Sequence, residues 1–180
     1  MTLEPNRLDG TLAKAVESAR ALSVDDMAFL LSLSEPEDLA RLYAAAREVK
    51  LKCCGKGVSV RGLVEAGNIC AKDCFYCGIR KSNVATARYS LSADEIVSAA
   101  KAAKSLGYAS LVVQSGEIES EAHTQFIEEV LRRIAPLDLG VTLSLGEQTE
   151  AVYRRWREAG AERYLLRIET SNPKLYAALH

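Results

Sequence analysis

The spacing of hydrophobic residues changes near residue 57 and divides the chain into two parts. Residues 1–52 carry only helix-type spacing. Two segments there begin like helix N-caps, with a serine and then an acid three residues later: Ser23 with Asp26, and Ser34 with Glu37. Such a serine accepts a hydrogen bond from a free N–H of the first helical turn. We therefore expect residues 1–52 to be a helical N-terminal segment and not a catalytic unit.

From residue 57 onward, strand-type and helix-type patterns alternate. Short runs rich in valine, leucine and isoleucine predict four buried strands: 58–65, 109–113, 139–145 and 163–169. Apolar residues at helical spacing predict the helices between and after them: 92–107, 121–135, 147–160 and 172–180. This order is typical of parallel strands joined by right-handed crossovers. The first crossover is the longest because it also contains a cysteine loop, residues 66–90.

Four strand–helix units can form a small open sheet or half of a barrel. We favour the half barrel because the fourth helix is cut short at His180. The expected fold is α/β: a truncated, partial (half) TIM-type βα barrel over residues 53–180, preceded by the helical segment. We accordingly expect the 180 residues to be a fragment of a longer protein.

Composition and charge exclude several classes of partner. Hydrophobic residues make up 48% and charged residues 26%, and the net charge of −1 offers no attraction to nucleic acid or to an anionic membrane. No apolar run approaches the roughly 18 residues that span a bilayer. The first ten residues, MTLEPNRLDG, lack the order of a signal peptide. We expect a cytoplasmic protein whose cysteines are thiols or metal ligands.

Three cysteines follow the first strand with the spacing C-x3-C-x2-C: Cys70, Cys74 and Cys77. In parallel barrels, reactive groups lie at the carboxyl ends of the strands. Three thiolates on a four-iron cluster leave one iron open, whereas four would saturate it. S-adenosylmethionine (SAM) carries an amine and a carboxylate that can chelate the open iron. An electron can then break its sulfonium C–S bond and release a 5′-deoxyadenosyl radical.

Structural zinc and an electron-carrying cluster are the alternatives for these cysteines. Zinc would need a fourth ligand, and none of the spare candidates completes a known zinc spacing: Cys53, Cys54, His123 and His180. A carrier cluster would need a fourth cysteine. Cys53 and Cys54 are expected to be thiols without a role, since adjacent cysteines rarely form an unstrained disulfide. His123 is expected to face solvent.

The segment CAKDCFYCGIR is similar to the signature of radical SAM enzymes. Its surroundings resemble the HydE-type branch, the maturases of FeFe-hydrogenase, which is related to biotin synthase and methylornithine synthase. The supporting stretches are RGLVEAGNIC, RYSLSADEI, LVVQSGE, VTLSLGE and AGAERYLLRIETSNPKLYAALH. Related sequences commonly have an aromatic residue and a serine at Ala66-Gly67, and a histidine at Ile168, so this chain departs from the branch there.

The resemblance implies which residues contact SAM: Tyr76 near the adenine, Ser115, Gly116 and Glu117 at the ammonium group, and Glu169. The residue types agree with this at the second strand end. Glycine lets the backbone approach a ligand, and an acid suits a cation. A helix-capping turn is the alternative for the segment 114–117.

Polar pairs follow the third and fourth strands. Thr142 and Ser144 lie two residues apart and so on one face, as do Arg167 and Glu169. A buried arginine requires an anionic partner, which a substrate or Glu169 could provide. The resemblance implies that Thr142, Ser144 and Arg167 contact substrate. The alternatives are hydroxyls satisfied by the backbone for the first pair and an internal salt bridge for the second.

The resemblance implies an enzyme that uses a 4Fe-4S cluster and SAM, with Cys70, Cys74 and Cys77 as cluster ligands and catalytic residues. It would reductively cleave SAM and act on a small iron- or sulfur-containing precursor during assembly of the hydrogenase active-site cluster. Flavodoxin or ferredoxin would supply electrons, and other hydrogenase maturases would be partners. The alternatives are a methylornithine-synthase-like mutase acting on an amino acid such as lysine, and a non-catalytic metal-binding module.

Overall fold

A computed structural model of the chain describes residues 5–180. The chain divides into two compact units, Met1–Val58 and Ser59–His180. Each unit has its own hydrophobic core. None of the helices in the described residues is long and apolar enough to cross a membrane.

Within the described residues, the first unit contains three α-helices, α1 (Pro5–Glu17), α2 (Val24–Leu31) and α3 (Pro36–Cys54), and a short 3₁₀ helix, Ala19–Ala21. Ser23 caps α2 in a complete capping box with Asp26, as its spacing predicted. The second predicted cap is wrong. The N-cap of α3 is Glu35 and not Ser34, because Pro36 takes the first helical position, where its fixed φ and missing N–H are tolerated.

The second unit is built on a four-stranded parallel sheet. Its strands are β1 (Gly62–Glu65), β2 (Ser110–Gln114), β3 (Gly140–Ser144) and β4 (Ala161–Tyr164), in the order β1-β2-β3-β4. Its helices are α4 (Ala93–Ser105), α5 (Glu121–Ile134), α6 (Glu150–Ala159) and α7 (Pro173–Leu179). Sequential parallel strands with a helix in every crossover confirm the expected α/β fold of a partial βα barrel.

Side-chain caps set the start of each crossover helix. The box formed by Ser92 and Glu95 caps α4, as predicted. Ser120 accepts a hydrogen bond from His123 N at the start of α5, and Thr149 does the same for Val152 N at α6. These caps fix how far each loop extends beyond its strand end before the chain turns back.

The core of this unit joins apolar residues of the sheet to those of the crossover helices. Fully buried members include Leu111, Val141 and Leu143 on the strands, and Ile96, Ile127, Leu131 and Trp156 on the helices. The Trp156 indole donates a hydrogen bond of 3.1 Å to the backbone oxygen of Thr124, which ties α6 to α5. Because these faces of the strands and helices pack against one another, the polar side chains that could bind a ligand lie at the strand ends.

The fourth strand is shorter than its sequence pattern predicted. β4 begins at Ala161, and its pairing with β3 shifts register between Val141 and Thr142. Leu165 N still donates to Leu143 O at 2.8 Å, but the following residues to Glu169 leave the sheet. The prediction of a strand over 163–169 is therefore wrong beyond Tyr164, because β4 lies at the end of the strand order and its irregular ladder does not continue.

Candidate functional site

A cavity of about 380 Å³ lies at the carboxyl ends of the strands. The last residues of β1, β2 and β3 all line it: Glu65, Gln114 and Ser144. Nine of the eleven site residues predicted from sequence line the same cavity: Cys70, Cys74, Cys77, Ser115, Gly116, Glu117, Ser144, Arg167 and Glu169. Its volume is within the range of small-molecule sites.

The other two predicted site residues lie outside this lining. Thr142 is buried in β3 two residues before Ser144, deeper in the sheet. Tyr76 lines an adjoining cavity of about 260 Å³, which it shares with Glu169 and His180. Glu169 and His180 line both cavities, so the two spaces are neighbours.

The cysteine loop leaves β1 and returns to α4. Ala66 N donates to Gln114 O at 2.7 Å, and Leu91 N donates back to Ala66 O at 2.8 Å, which closes the base of the loop. Within it, a turn bonds Cys77 N to Cys74 O at 2.9 Å. Cys74 is buried, while Cys70 and Cys77 are half-buried.

The three thiols do not converge on a single point. No group of three His, Cys, Asp or Glu side chains within the described residues is arranged to hold one metal ion. A four-iron cluster places each cysteine on a different iron, so its ligands need to surround a larger volume. Three thiols lining one cavity are the donor set that such a cluster uses.

One guanidinium holds both arms of the cysteine loop. Arg88 Nη1 donates to the backbone oxygens of Asn68 at 2.6 Å and Ile79 at 2.8 Å, before and after the cysteines. Its Nη2 donates to the oxygens of Arg80 at 2.6 Å and Asn83 at 3.2 Å. The loop is therefore ordered by a side chain as well as by backbone hydrogen bonds.

We expect Arg88→Lys to loosen the cysteine loop. The lysine ammonium is a compact charge and cannot reach all four carbonyl oxygens that the planar guanidinium of Arg88 contacts. Losing about two charge-assisted bonds should speed amide hydrogen exchange across residues 67–87 by about tenfold or more. The matched control is Arg80→Lys, since that guanidinium makes only longer bonds of 3.3 and 3.5 Å. Equal exchange in the two variants would contradict the assigned role of Arg88.

The turn after β2 packs directly on the cysteine loop. A Cβ at Gly116 would lie 2.2 Å from the backbone oxygen of Ile69 and 2.7 Å from Cys70 Cβ. Ala71 N donates to the backbone oxygen of Glu117 at 2.8 Å. Only glycine allows this approach, which brings the next residue, Glu117, beside the cysteines.

Glu117 is a buried carboxylate whose two oxygens have different partners. Its side chain is 6% exposed, and Oε2 accepts a hydrogen bond of 2.8 Å from the Glu147 N–H. Lys72 Nζ lies 3.1 Å from Oε1, the distance of an ion pair, but without the angles of a hydrogen bond, so Oε1 has no hydrogen-bond partner. Contact with this carboxylate raises the pKa of Lys72. A buried acceptor facing a cavity suits a ligand that brings an ammonium group.

The loop after β3 completes this carboxylate site. Gly146 has a φ of +79°, and a Cβ there would lie 2.3 Å from Glu117 Oε2. Glycine therefore permits the turn and also the contact that presents the Glu147 N–H to Glu117. Neither residue was among the predicted site residues, although the segment TLSLGE contains both.

Cys74 also contacts His180, the residue that follows α7. The sulfur lies 3.0 Å from His180 Nδ1, and the Tyr76 hydroxyl lies 2.9 Å from the same nitrogen. Burial raises the pKa of the Cys74 thiol. The sequence offers His180 only as a spare zinc ligand, because no local signal connects residues 106 positions apart.

Two expectations about charged side chains are wrong. Arg167 is exposed and not buried, because the chain leaves the sheet after β4, and within the described residues it forms no ion pair with Glu169. His123 does not face solvent. Its Nε2 is buried without a hydrogen-bond partner, beside a cavity of about 20 Å³ that Ala66 and Gly67 also line, and burial lowers its pKa.

Comparisons with known proteins agree with this arrangement. The model of the radical SAM superfamily matches residues 64–180, more than half of the chain. HydE, the [FeFe] hydrogenase maturase subunit of Thermotoga maritima, is 38% identical over 159 residues, which cover 88% of this chain and 43% of HydE. The 3-methylornithine synthase of Methanosarcina acetivorans is 32% identical over 160 residues, covering 88% of this chain and 45% of that protein. The chain thus spans less than half the length of these relatives.

Solved structures show the same fold. The crystal structure of methylornithine synthase (PylB) matches with a TM-score of 0.83 and 29% identity, over 94% of this chain and 50% of that one. The crystal structure of HydG, a maturase of the [FeFe]-hydrogenase, matches with a TM-score of 0.86 and 22% identity, over 99% of this chain and 40% of that one. This chain belongs to the radical SAM superfamily, whose members use a 4Fe-4S cluster and SAM.

Proposed function

We propose that residues 53–180 form the cluster- and SAM-binding half of a barrel enzyme that cleaves SAM reductively to methionine and a 5′-deoxyadenosyl radical. One observation carries the proposal. The cavity lined by Cys70, Cys74 and Cys77 also contains the buried Glu117, whose Oε1 forms an ion pair with Lys72 but accepts no hydrogen bond. Thiolate ligands and an acceptor for an ammonium group are the two features that the amino-acid part of SAM and its cluster require.

The residues of the chain have separate tasks in this mechanism. The three cysteines would hold the cluster, which when bound supplies the electron that breaks the sulfonium C–S bond. Gly116 allows the turn to approach the cysteine loop, and the Glu147 N–H holds Oε2 of Glu117. Oε1, which Lys72 contacts at 3.1 Å, is thereby held where a ligand ammonium could bind, and the burial of Glu117 strengthens a charge-assisted hydrogen bond to it.

The adjoining cavity supports a position for the adenosyl group. Tyr76 and Glu169 line it together, and Glu169 also lines the cysteine cavity. A ligand bound at Glu117 could therefore extend toward Tyr76 past Glu169. We assign Ser115, with its backbone beside Gly116, to the same ligand.

The substrate side is the part of the cavity lined by Ser144 and Arg167, with Thr142 buried beneath Ser144. An exposed guanidinium suits an anionic group of a small molecule. The finer proposal is a HydE-like role, supported by the 38% identity to HydE, in which that molecule is an iron- or sulfur-containing precursor of the hydrogenase active-site cluster. Flavodoxin or ferredoxin would donate electrons, other hydrogenase maturases would be partners, and the location would be cytoplasmic.

A second candidate is a mutase acting on an amino acid such as lysine. It is supported by the 32% identity to 3-methylornithine synthase and by the TM-score of 0.83 with the PylB structure. Both candidates cleave SAM in the same way, so the Ser144–Arg167 side of the cavity would have to discriminate between them. Incubation with SAM, reductant and lysine would separate the two, since only the mutase converts lysine to a branched isomer.

The test of SAM binding uses the anaerobically reconstituted chain, reduced, with EPR spectra recorded during a SAM titration. We expect SAM to perturb a four-iron signal in the wild type. In Glu117→Gln the signal should persist but require about tenfold more SAM, because the ligand ammonium loses its anionic partner and keeps only a neutral acceptor. The matched control is Glu119→Gln, an exposed acid outside the cysteine cavity, which should titrate like the wild type.

Two results would count against the proposal. A wild-type cluster whose spectrum is indifferent to SAM would favour the non-catalytic metal-binding module. Equal SAM dependence in the wild type and Glu117→Gln would separate SAM binding from the buried carboxylate and remove the observation on which the proposal rests.

A further inference from the structure

Lys72 lies between two of the cysteines and extends back toward the turn after β2. Its ammonium is 3.1 Å from Glu117 Oε1, and both side chains line the cavity that contains the thiols. Glu117 Oε1 is thus already in contact with a cation that belongs to the chain. The ligand ammonium of the proposed function would have to take the same place.

The two members of this ion pair differ in their freedom to move. Glu117 is 6% exposed, Oε2 is bonded to the Glu147 N–H, and its side chain packs closely on Gly146. Lys72 has a side chain that is 32% exposed, and Oε1 is its single ion-pair contact among the described residues. A long, flexible stem that reaches solvent lets its charge be rehydrated outside the cavity. The carboxylate is therefore the fixed member and the lysine the movable one.

We propose that Lys72 is a displaceable counter-cation, which occupies the ammonium subsite at Glu117 and moves to solvent when the amino group of SAM binds. The inference rests on the proposed function and adds a residue that sets ligand affinity. A buried carboxylate without a counter-charge is costly, and the Lys72 ammonium at 3.1 Å provides that counter-charge while no ligand is bound. Two ammonium groups at one oxygen repel each other, and so displacement of the more exposed Lys72 to solvent favours ligand binding over a shared site.

This exchange predicts which ligands have an affinity that depends on Lys72. SAM must displace the lysine before its own ammonium can donate to Oε1, so part of its binding free energy is offset. A ligand with the adenosyl group but no ammonium, such as 5′-methylthioadenosine, does not compete for Oε1. Removing the Lys72 charge should therefore change the affinity for SAM and leave the affinity for 5′-methylthioadenosine unchanged.

The experiment measures both dissociation constants by anaerobic calorimetry on the reconstituted chain, in the wild type, Lys72→Met and Lys81→Met. Lys81 is in the same loop and carries the same charge, but it does not line the cavity and so controls for net charge. We expect Lys72→Met to bind SAM about fivefold more tightly, as for the removal of a partly exposed ion pair. Lys81→Met should match the wild type for both ligands.

A second readout needs no variant. Reductive dimethylation of wild-type lysines, quantified by mass spectrometry with and without SAM, reports how free each ammonium is. We expect the labelling rate of Lys72 to rise when SAM is present and that of Lys81 to stay constant. This measurement also decides the matter if Lys72→Met fails to take up a cluster.

The outcomes separate this inference from the proposed function. If the wild type binds SAM while Lys72→Met binds it equally or more weakly, and Lys72 labelling does not rise, the displacement is wrong and Lys72 is a fixed part of the site. If the wild type does not bind SAM at all, the proposed function fails first and this inference fails with it.

Discussion

Gly116→Ala is expected to prevent assembly of the cluster, with iron content after reconstitution below about a tenth of the wild-type value. The new Cβ would lie 2.2 Å from the backbone oxygen of Ile69 and 2.7 Å from Cys70 Cβ. Rotating a side chain cannot relieve an overlap with backbone, so the cysteine loop and the turn after β2 must move apart. That movement displaces Cys70 from the other two cysteines and Glu117 from the cavity at the same time.

The same substitution at Gly78 is the matched control. Gly78 follows directly after Cys77 in the cysteine loop, and a Cβ there would meet no atom within 4 Å. Gly78→Ala should therefore take up iron like the wild type. Urea unfolding of both variants would separate site damage from instability, since overpacking of this kind costs about 1–3 kcal/mol. Normal iron uptake by Gly116→Ala would show that the close approach is not needed.

The sequence was most informative where the signal is local. The spacing of Cys70, Cys74 and Cys77, and the capping box at Ser92, involve neighbouring residues, so composition and periodicity report them directly. Parallel strands also bring their carboxyl ends to one edge of the sheet, which is why Ser144 could be assigned to the same cavity as the cysteines. These features follow from chain geometry and need no knowledge of packing.

Features that depend on contacts between distant segments were missed. Lys72 reaches Glu117 across 45 positions, and nothing in the segment CAKDC marks its lysine as part of a site. β4 ends at Tyr164, so the expectation that Arg167 is buried failed together with the predicted strand. The Nε2 atom of His123 is buried by the packing of α5, although the helix neighbours of this residue are polar. Strand pairing and packing, and not residue type, determine whether such side chains are buried and what they contact.

The role of Arg88 is intermediate between features with a local sequence signal and features set by contacts between distant segments. A single arginine after a cysteine loop carries no sequence signal of its own, but its four carbonyl partners lie within 20 positions of it. A loop of this length has many unsatisfied backbone oxygens, and a planar donor with several N–H groups is the side chain best able to collect them. Loops around clusters could be searched for such an arginine before a structure is available.

Cys74→Ala is expected to abolish the cluster signal altogether, with iron content near that of an unreconstituted sample. Cys74 is the most buried of the three cysteines at 7% exposure, so no thiol or water from outside can easily replace its sulfur. The vacated position lies 3.0 Å from His180 Nδ1, and His180 is the nearby side chain that could substitute as a ligand. This substitution by His180 is tested by comparing Cys74→Ala with the double variant Cys74→Ala/His180→Ala. Both should lack the EPR signal, and a signal in the single variant alone would show that His180 replaces the lost ligand.

Cys53→Ala and Cys54→Ala are the matched controls, since both thiols are exposed, free and on α3 of the first unit. Each should reconstitute to the wild-type iron content and respond to SAM like the wild type. Loss of the cluster in either control would bring that cysteine into the ligand set and would revive the possibility of a saturated, electron-carrying cluster. Retention of a SAM-sensitive signal in Cys74→Ala would instead mean that the open iron site does not depend on the C-x3-C-x2-C spacing, and the radical SAM chemistry would then have to be assigned to other ligands.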